Sequence, residues 1–282
     1  MLTVNAPAKL NLTFEVLGKQ PDGYHQIRSV IQAISLGDRL TFRVSYELGF
    51  RSNLPDWSAG ESLVSRAAQL LRVTAGCSEG AIVEVEKRIP LVSGLGGDSS
   101  DAAAALYGLN ELWKLGLSGD KLLELAAQLG SDVPFFLHGG TALAEGRGEK
   151  ITPLPAPPRS WLVLVVPAVP RLPGKTGRMY ASLNARHYTD GQITERLTDV
   201  LRGGGDFSAS LLFNTFENVA FTEDSELRLY RDHLLKMGAD NVHLAGSGPT
   251  LFTLSSDRQQ AVDLYALCRQ QGMETYLVEA GG

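Results

Sequence analysis

The sequence predicts an α+β protein of two domains, and two observations support this prediction. A glycine-rich loop at 90–101 joins an alternating segment to a helical pattern in the first half of the chain. A proline-rich stretch at 151–158 then marks a boundary. After it, the predicted elements follow the split order β-α-β-β-α-β, which is ferredoxin-like. We therefore expect an N-terminal domain at 1–155 and a ferredoxin-like C-terminal domain with extra helices at 156–282.

Composition narrows the class of protein. The 282 residues are 44% apolar and 20% charged, with a formal net charge of −5, as in a soluble globular protein without a nucleic-acid partner. No apolar run reaches the length of a membrane span, and no signal-peptide pattern starts the chain, so we expect a cytoplasmic protein. Cys77, Cys268 and five scattered histidines fit no metal or redox spacing.

The first predicted strand, at 9–16, has two distinct faces. Its apolar side chains alternate with polar ones, so Lys9 and Asn11 share one face. A solvated face explains this pattern about as well as a functional one. The turn signal at 21–23 leads directly into Tyr24 and His25, which can grip a flat, hydrogen-bonding ring or simply pack.

Further elements lead up to the glycine-rich loop. We expect strands at 27–34 and 40–44, an irregular polar stretch at 45–61 and a helix at 61–72. A strand at 83–87 then precedes the loop.

The loop itself has the properties of a phosphate site. Glycine lets the backbone turn sharply and approach a ligand closely, and the start of the next helix presents unpaired N–H groups. Ser99 and Ser100 add hydroxyl donors. The loop matches neither the Walker A pattern nor the dinucleotide fingerprint. The alternative is an ordinary turn in which Asp98 or Ser99 is the helix N-cap.

A marked helix precedes a candidate carboxylate. Ser118 is a plausible N-cap and Gly130 a C-terminal stop for a helix between them. Asp132 follows, flanked by apolar residues that suit a partly desolvated, reactive carboxylate. Capping the short helix that we expect next is the more ordinary role for Asp132.

The second half contains a further glycine-rich loop, at 246–250, which could face the first. The predicted strands are at 161–166, 242–245, 251–254 and 274–278. The predicted helices are near 176–183, 193–202, 209–219, 225–237 and 258–271.

Five ordered motifs now stand together. They are Pro-Ala-Lys-Leu-Asn (7–11), Asp-Gly-Tyr-His (22–25), Gly-Leu-Gly-Gly-Asp-Ser-Ser-Asp-Ala-Ala (94–103), Gly-Ser-Asp-Val-Pro-Phe-Phe (130–136) and Ala-Gly-Ser-Gly-Pro-Thr (245–250). The chain resembles the GHMP small-molecule kinases, which implies an N-terminal domain like domain 2 of ribosomal protein S5. The second and fourth motifs are typical of the members that phosphorylate the 2-hydroxyl of a methylerythritol unit joined to cytidine diphosphate, in non-mevalonate isoprenoid biosynthesis.

The resemblance implies roles for the matching residues. Asp132 is expected to be the catalytic base, and Lys9 to orient it and stabilise charge on the reacting oxygen. His25 is expected to read the cytosine edge and Tyr180 to stack on the ring. The residues expected to bind this substrate are Asn11, Tyr24, His25, Thr176, Tyr180, Gly246, Ser247 and Gly248. The residues expected to hold ATP are Pro90, Leu91, Val92, Ser93, Gly94, Leu95, Gly96, Gly97, Asp98, Ser99 and Ser100.

The resemblance implies ATP and Mg²⁺ as cofactors, although the sequence identifies no metal ligand. It also implies a small-molecule substrate and no membrane or nucleic-acid partner. We expect the protein to be a monomer or a homodimer. The chain departs from the family pattern at Asp98, Ser62 and Thr215, where a glycine, an asparagine and an aspartate are usual. Two other functions stay open: a GHMP kinase for another alcohol, such as homoserine or mevalonate, and a non-catalytic nucleotide-binding protein. The base-gripping residues argue against the first, and Lys9 with Asp132 against the second.

Overall fold

The computed structural model describes residues 1–55, 57–170, 174–222 and 225–281. The strands are β1 Leu2–Asn11, β2 Thr13–Lys19, β3 His25–Ser45, β4 Leu48–Ser52, β5 Gly80–Glu86, β6 Thr141–Gly146, β7 Lys150–Leu154, β8 Ser160–Val166, β9 Phe213–Asn214, β10 His243–Leu244, β11 Leu251–Ser255 and β12 Glu274–Ala280. The α-helices are α1 Leu63–Ala75, α2 Gly97–Leu112, α3 Gly119–Leu129, α4 Val133–His138, α5 Lys175–Ala181, α6 Gln192–Gly203, α7 Glu217–Ala220, α8 Glu226–Lys236 and α9 Arg258–Gln270. Short 3₁₀ helices span Ala59–Glu61 and Ala209–Leu211.

The chain divides into two compact units made of interleaved segments. Unit 1 contains Met1–Ala8, Leu36–Ile89 and Gly96–Gly139, and unit 2 contains Lys9–Ser35, Pro90–Leu95 and Gly140–Gly282. A single domain boundary at 155/156 stays a prediction.

Unit 1 packs helices on one side of a small sheet. The C-terminal half of β3 is antiparallel to β5, and β4 lies parallel on the other edge of β5. The core joins apolar side chains of β3 and β5, including Phe42 and Val83, to α1, α2 and α3. The four consecutive alanines 102–105 at the start of α2 are all buried. Small side chains there allow close packing, as the sequence predicts.

Unit 2 contains the ferredoxin-like order. Its sheet runs β10-β11-β8-β12 with antiparallel neighbours throughout, and α9 packs against β8, β11 and β12. The N-terminal half of β3 pairs with β2 and β6, and β9 joins β2 in parallel. The predicted β-α-β-β-α-β order is therefore confirmed. Among the described residues, no helix combines the length and the apolar character needed to cross a bilayer.

Several element predictions are wrong. The strands expected at 27–34 and 40–44 are one strand of 21 residues, β3. Its N-terminal half pairs with β2 and β6, and its C-terminal half pairs with β5. Strand β4 lies in the stretch expected to be irregular. The helix expected at 209–219 is a 3₁₀ turn, the two-residue strand β9 and the four-residue helix α7.

The proline-rich stretch at 151–158 is also not simply a linker. Its start belongs to β7, which pairs only with β6 among the described strands. Pro153 is tolerated there because an edge strand leaves one side of its backbone unpaired.

Gly108→Ala tests the packing of α2 against the sheet in unit 1. A Cβ built on Gly108 would lie 2.5, 2.6 and 2.9 Å from ring atoms of the fully buried Phe42. Overpacking of this kind costs about 1–3 kcal/mol, more than the roughly 1 kcal/mol that alanine gains in helix propensity. We expect a net loss of up to about 2 kcal/mol in the free energy of unfolding, measured by urea titration.

The matched control is Gly119→Ala in α3, where a Cβ would meet no atom within 4 Å. It should leave stability unchanged or slightly higher. A Gly108→Ala protein as stable as this control would contradict the packing described for α2.

Candidate active site

The N-terminal end of α2, in unit 1, offers backbone donors to an anion. Gly96 is the N-cap in a left-handed conformation with φ 75°, and no side chain caps the helix. The alternative in which Asp98 or Ser99 is the N-cap is therefore wrong, since both lie within the first helical turn. The first N–H groups of a helix have no partner inside it and carry partial positive charge. This end of α2 can bind phosphate.

The Ser100 hydroxyl strengthens this interpretation. Ser100 is 1% exposed, and its Oγ has no hydrogen-bond partner among the described residues. Burying a hydroxyl without a partner costs free energy. A ligand oxygen at this helix end would supply the missing partner.

A buried ion cluster fixes the same end of α2. The Lys87 ammonium, which follows β5, donates to Asp38 Oδ2 at 2.6 Å and to Asp101 Oδ2 at 2.8 Å. Asp98 Oδ1 lies 3.7 Å from the same nitrogen but is 65% exposed. The second oxygen of Asp38 accepts from the backbone N–H groups of Arg88 and Ile89. The cluster thus ties β3, the exit of β5 and the first turns of α2 together.

The pKa values of Asp101 and Lys87 in this cluster are both shifted from their usual values. Desolvation raises the pKa of Asp101 to about 8, with a further upward contribution from Asp38, although the Lys87 charge opposes the rise. The two carboxylates raise the pKa of Lys87, in spite of desolvation. Asp101 Oδ1 has no hydrogen-bond partner among the described residues, so nothing there compensates for a second buried negative charge.

Asp132 lies just before α4, in unit 1. It occupies the N-cap position but makes no side-chain capping hydrogen bond. It is partly exposed, whereas the next three residues, Val133 to Phe135, are buried. The capping role considered for Asp132 is therefore not observed.

In unit 2, the polar face of the first strands is buried. Lys9, Asn11, Thr13 and Glu15 are all at most 5% exposed, so the alternative of a solvated face is wrong. Lys9 Nζ donates to Asn11 Oδ1 at 2.6 Å, and Asn11 Nδ2 donates to Ser29 Oγ at 2.8 Å. The ammonium and the amide are thus held rigidly side by side.

The two glycine-rich loops meet within unit 2. A Cβ on Gly94 would clash with the carbonyl oxygen of Ala245 and lie 3.0 Å from that of Gly248. Thr250 N donates to Ser93 O at 3.3 Å, and Lys9 N donates to Leu95 O at 2.9 Å. The loop at 246–250 therefore packs backbone to backbone against residues 93–95, and the expectation that it faces the first loop is confirmed for these residues.

Polar side chains border the second loop. A Cβ on Gly246 would lie 3.5 Å from Lys9 Nζ, and one on Gly248 would lie 3.1 Å from Lys175 Nζ. The Thr176 and Ser247 hydroxyls are 2.9 Å apart and share a hydrogen bond. Sequence reasoning selected Thr176 but not Lys175. In the first loop, Val92 has φ 51°, an uncommon conformation for a β-branched residue.

The residues expected to recognise a base are partly stacked on one another. The His25 and Tyr180 rings lie 4.7 Å apart at 18°, and Tyr188 Oη is 3.4 Å from His25 Nε2. Burial lowers the pKa of His25, with a smaller contribution from Lys19. Tyr24 lies under the guanidinium of Arg147, 3.9 Å from its ring centroid. A base that stacks on Tyr180 must therefore use the other face of that ring or displace His25.

Two departures from the family pattern have structural roles. Ser62 is the N-cap of α1, and its Oγ accepts from Ser65 N. Thr215 Oγ1 accepts from Val16 N at 3.0 Å and is fully buried. Among the described residues, no group of three His, Cys, Asp or Glu side chains could hold a metal ion.

Comparisons with known proteins agree with this geometry. The family model for the GHMP kinase N-terminal domain matches residues 62–140, and that for the C-terminal domain matches residues 196–272. A 4-diphosphocytidyl-2-C-methyl-D-erythritol kinase of Dehalococcoides mccartyi is 49% identical over 282 residues, covering 100% of this chain and 99% of that protein. A Geobacillus enzyme of the same name is 40% identical over 90% of this chain and 88% of its own. A crystal structure of a 4-(cytidine 5'-diphospho)-2C-methyl-D-erythritol kinase superposes with a TM-score of 0.84 at 32% identity, covering 100% of both chains.

Asp101→Asn tests the buried cluster. A raised pKa means that the folded protein holds a proton on Asp101 up to about pH 8, whereas the unfolded chain loses it near pH 4. Wild-type stability should therefore fall as the pH rises from 5 to 8 through this group. The neutral asparagine removes the titration, so the variant should lose less stability over that range.

Urea unfolding at several pH values measures the difference. The exposed Asp120→Asn change in α3 serves as control and should follow the wild type. Equal pH dependence in the wild type and the Asp101→Asn variant would contradict the raised pKa.

Proposed function

Because this chain belongs to the GHMP kinase family, we propose that it phosphorylates the 2-hydroxyl of 4-diphosphocytidyl-2-C-methyl-D-erythritol. The observation that carries this proposal is the 49% identity, over the whole chain, with a relative of that name. Membership of a kinase family makes ATP the phosphoryl donor and a small molecule the acceptor. The product serves isoprenoid precursor synthesis.

To catalyse phosphoryl transfer, an enzyme must mainly stabilise the negative charge on the transferred group. The acceptor oxygen bonds to the γ-phosphorus, the bond to the bridging β–γ oxygen breaks, and negative charge spreads over the phosphoryl oxygens. We assign residues 90–100 to the ATP phosphates. The open N–H groups of α2 and the unpartnered Ser100 hydroxyl support this assignment, because preorganised donors are the largest source of such stabilisation.

We assign the proton transfer to Asp132 and a supporting positive charge to Lys9. The carboxylate of Asp132 takes the proton of the 2-hydroxyl, and a loose transition state lets this occur late. The Lys9 ammonium stabilises the reacting oxygen. Its hydrogen bond to Asn11 supports this role, since a cation held by neighbours needs little reorganisation during the reaction.

Mg²⁺ is the implied metal, and the donors near the first turn of α2 fit it. The Asp98 carboxylate and the Ser100 hydroxyl are hard oxygen ligands of the kind that Mg²⁺ accepts beside substrate phosphates. When bound, the ion neutralises charge on those phosphates. We propose Asp98 as its protein ligand, since Ser100, two residues further along α2, faces a different side of the helix and keeps its role toward the phosphates.

The acceptor is recognised in this proposal through its base and its diphosphate. Tyr180 offers an aromatic face worth about 1–3 kcal/mol of stacking, and His25 offers hydrogen-bonding nitrogens to the cytosine edge. Tyr24 and Asn11 contact the rest of the ligand. Because His25 already stacks on Tyr180, the cytosine base would bind the opposite face of the Tyr180 ring or displace His25.

An ATP-consumption assay with Mg²⁺ tests the proposal directly. 4-Diphosphocytidyl-2-C-methyl-D-erythritol, homoserine and mevalonate are offered in parallel to the purified protein. Turnover with the first alone is the expected result. Turnover with another alcohol would overturn the assigned substrate, and ATP binding without any turnover would favour a non-catalytic nucleotide-binding protein.

Asp132→Asn should abolish most turnover while ATP affinity stays within about twofold. A positioned base contributes roughly 10²–10⁴-fold to the rate, so we expect kcat to fall by that factor. Single-turnover kinetics and ATP titration measure the two quantities.

The control is Asp120→Asn, an exposed carboxylate of α3, which should keep wild-type kcat. Wild-type turnover in the Asp132→Asn protein would remove Asp132 from the mechanism.

A further inference from the structure

We propose that Lys175 is a further substrate-binding residue, whose ammonium binds the diphosphate of a nucleoside-diphosphate acceptor beside the 246–248 loop. This inference rests on the proposed function and adds a residue that the five sequence motifs do not contain. The residues involved all lie in unit 2, where Lys175 begins α5.

The first support is position. A Cβ on Gly248 would lie 3.1 Å from Lys175 Nζ, so the ammonium lies directly over the backbone at a residue without a side chain. Gly248 has φ 75°, a conformation that favours glycine, and a Cβ there would also lie 2.6 Å from Leu244 Cδ1, so no side chain separates the ammonium from this backbone. The hydroxyl pair of Thr176 and Ser247 links the first turn of α5 to the same loop at 2.9 Å.

The second support is charge. Lys175 is half-buried, and no carboxylate among the described residues forms an ion pair with it. Burial, together with a smaller contribution from the positive charge of Arg178, lowers its pKa to about 8. Residues 244–250 of the facing loop contain no charged side chain, and the Lys9 ammonium lies beside the same loop at Gly246. A desolvated ammonium in cationic surroundings gains stability from a bound anion.

The third support is the spacing of chemical groups along α5. Tyr180, which stacks with His25, lies five residues after Lys175, about 7.5 Å along a helix axis. One short helix therefore carries a cation near a glycine-rich loop and an aromatic ring further along. A nucleoside diphosphate has the same two features, a doubly charged diphosphate and a flat base.

The test compares wild type, Lys175→Met, Lys175→Arg and the control Lys236→Met, which removes an exposed lysine of α8. Calorimetry measures the Kd of each protein for CDP, cytidine and ADP. We expect Lys175→Met to weaken CDP about 10- to 100-fold, as the loss of a charge-assisted hydrogen bond implies. Cytidine and ADP should change less than about twofold, Lys175→Arg should recover most of the CDP affinity, and Lys236→Met should match wild type.

The pH dependence of kcat/KM gives a second measurement, one that would not change if Lys175 had only a structural role. In wild type, kcat/KM for the acceptor should fall as the pH rises through about 8, because Lys175 loses its proton there. The fall should be absent up to pH 9 in Lys175→Arg, whose guanidinium stays charged. If Lys175→Met fails to fold, this pH comparison with Lys175→Arg decides the question alone.

Three results would overturn the inference. CDP affinity that is unchanged in Lys175→Met would remove the contact, and a greater loss for ADP than for CDP would assign Lys175 to the ATP phosphates. The same pH fall in wild type and Lys175→Arg would assign the titration to another group. A different outcome separates this inference from the proposed function. If Lys175→Met loses CDP affinity but the wild type turns over no acceptor, the binding role of Lys175 is supported and the proposed function is refuted.

Discussion

The buried ammonium of Lys87 constrains the first unit more than any other single group. A charge at 1% side-chain exposure is tolerable only with close partners: the Asp38 carboxylate supplies the counter-charge at 2.6 Å, and Asp101 accepts a second hydrogen bond at 2.8 Å. These three residues belong to different elements, so satisfying one charge also fixes where β3, the exit of β5 and α2 meet. The start of α2, with its open N–H groups, is held as a result. A helix end that binds phosphate gains from such rigidity, because donors already in place need no reorganisation.

A second constraint of the opposite kind acts in the second unit. There, side chains are excluded rather than paired: at Gly94 no Cβ fits against Ala245, and Gly246 and Gly248 both have positive φ. Backbone packs on backbone, and the ammonium groups of Lys9 and Lys175 lie beside Gly246 and Gly248. Glycine is thus required at these positions twice, once for the turn and once for the close approach.

The sequence alone predicted an element correctly wherever residues close together in the chain determine where that element begins and ends. Helix α3 begins after Ser118, whose Oγ accepts from Lys121 N, and ends at Gly130, as its sequence predicts. The polar face of the first strands was ambiguous, because burial of Lys9 and Glu15 depends on partners such as Thr194, 179 residues from Glu15. Lys87 and Asp38 are 49 residues apart, and no pattern in a single sequence connects them. The motifs revealed most candidate site residues, but not Lys175, whose significance depends on a loop about 70 residues further along the chain.

The lysines of this chain show how the same group serves structure or binding according to its counter-charges. Lys87 donates hydrogen bonds to the buried carboxyl groups of Asp38 and Asp101, and its pKa is raised, so it remains charged and contributes to folding. Lys175 has no carboxylate partner among the described residues, and its pKa is lowered, so its charge is costly until an anion arrives. The formal net charge of −5 does not oppose phosphate binding, since the field at a site is set by the groups nearest to it. A lysine left without a carboxylate beside a glycine-rich loop is therefore best explained by the ligand that would pair with it.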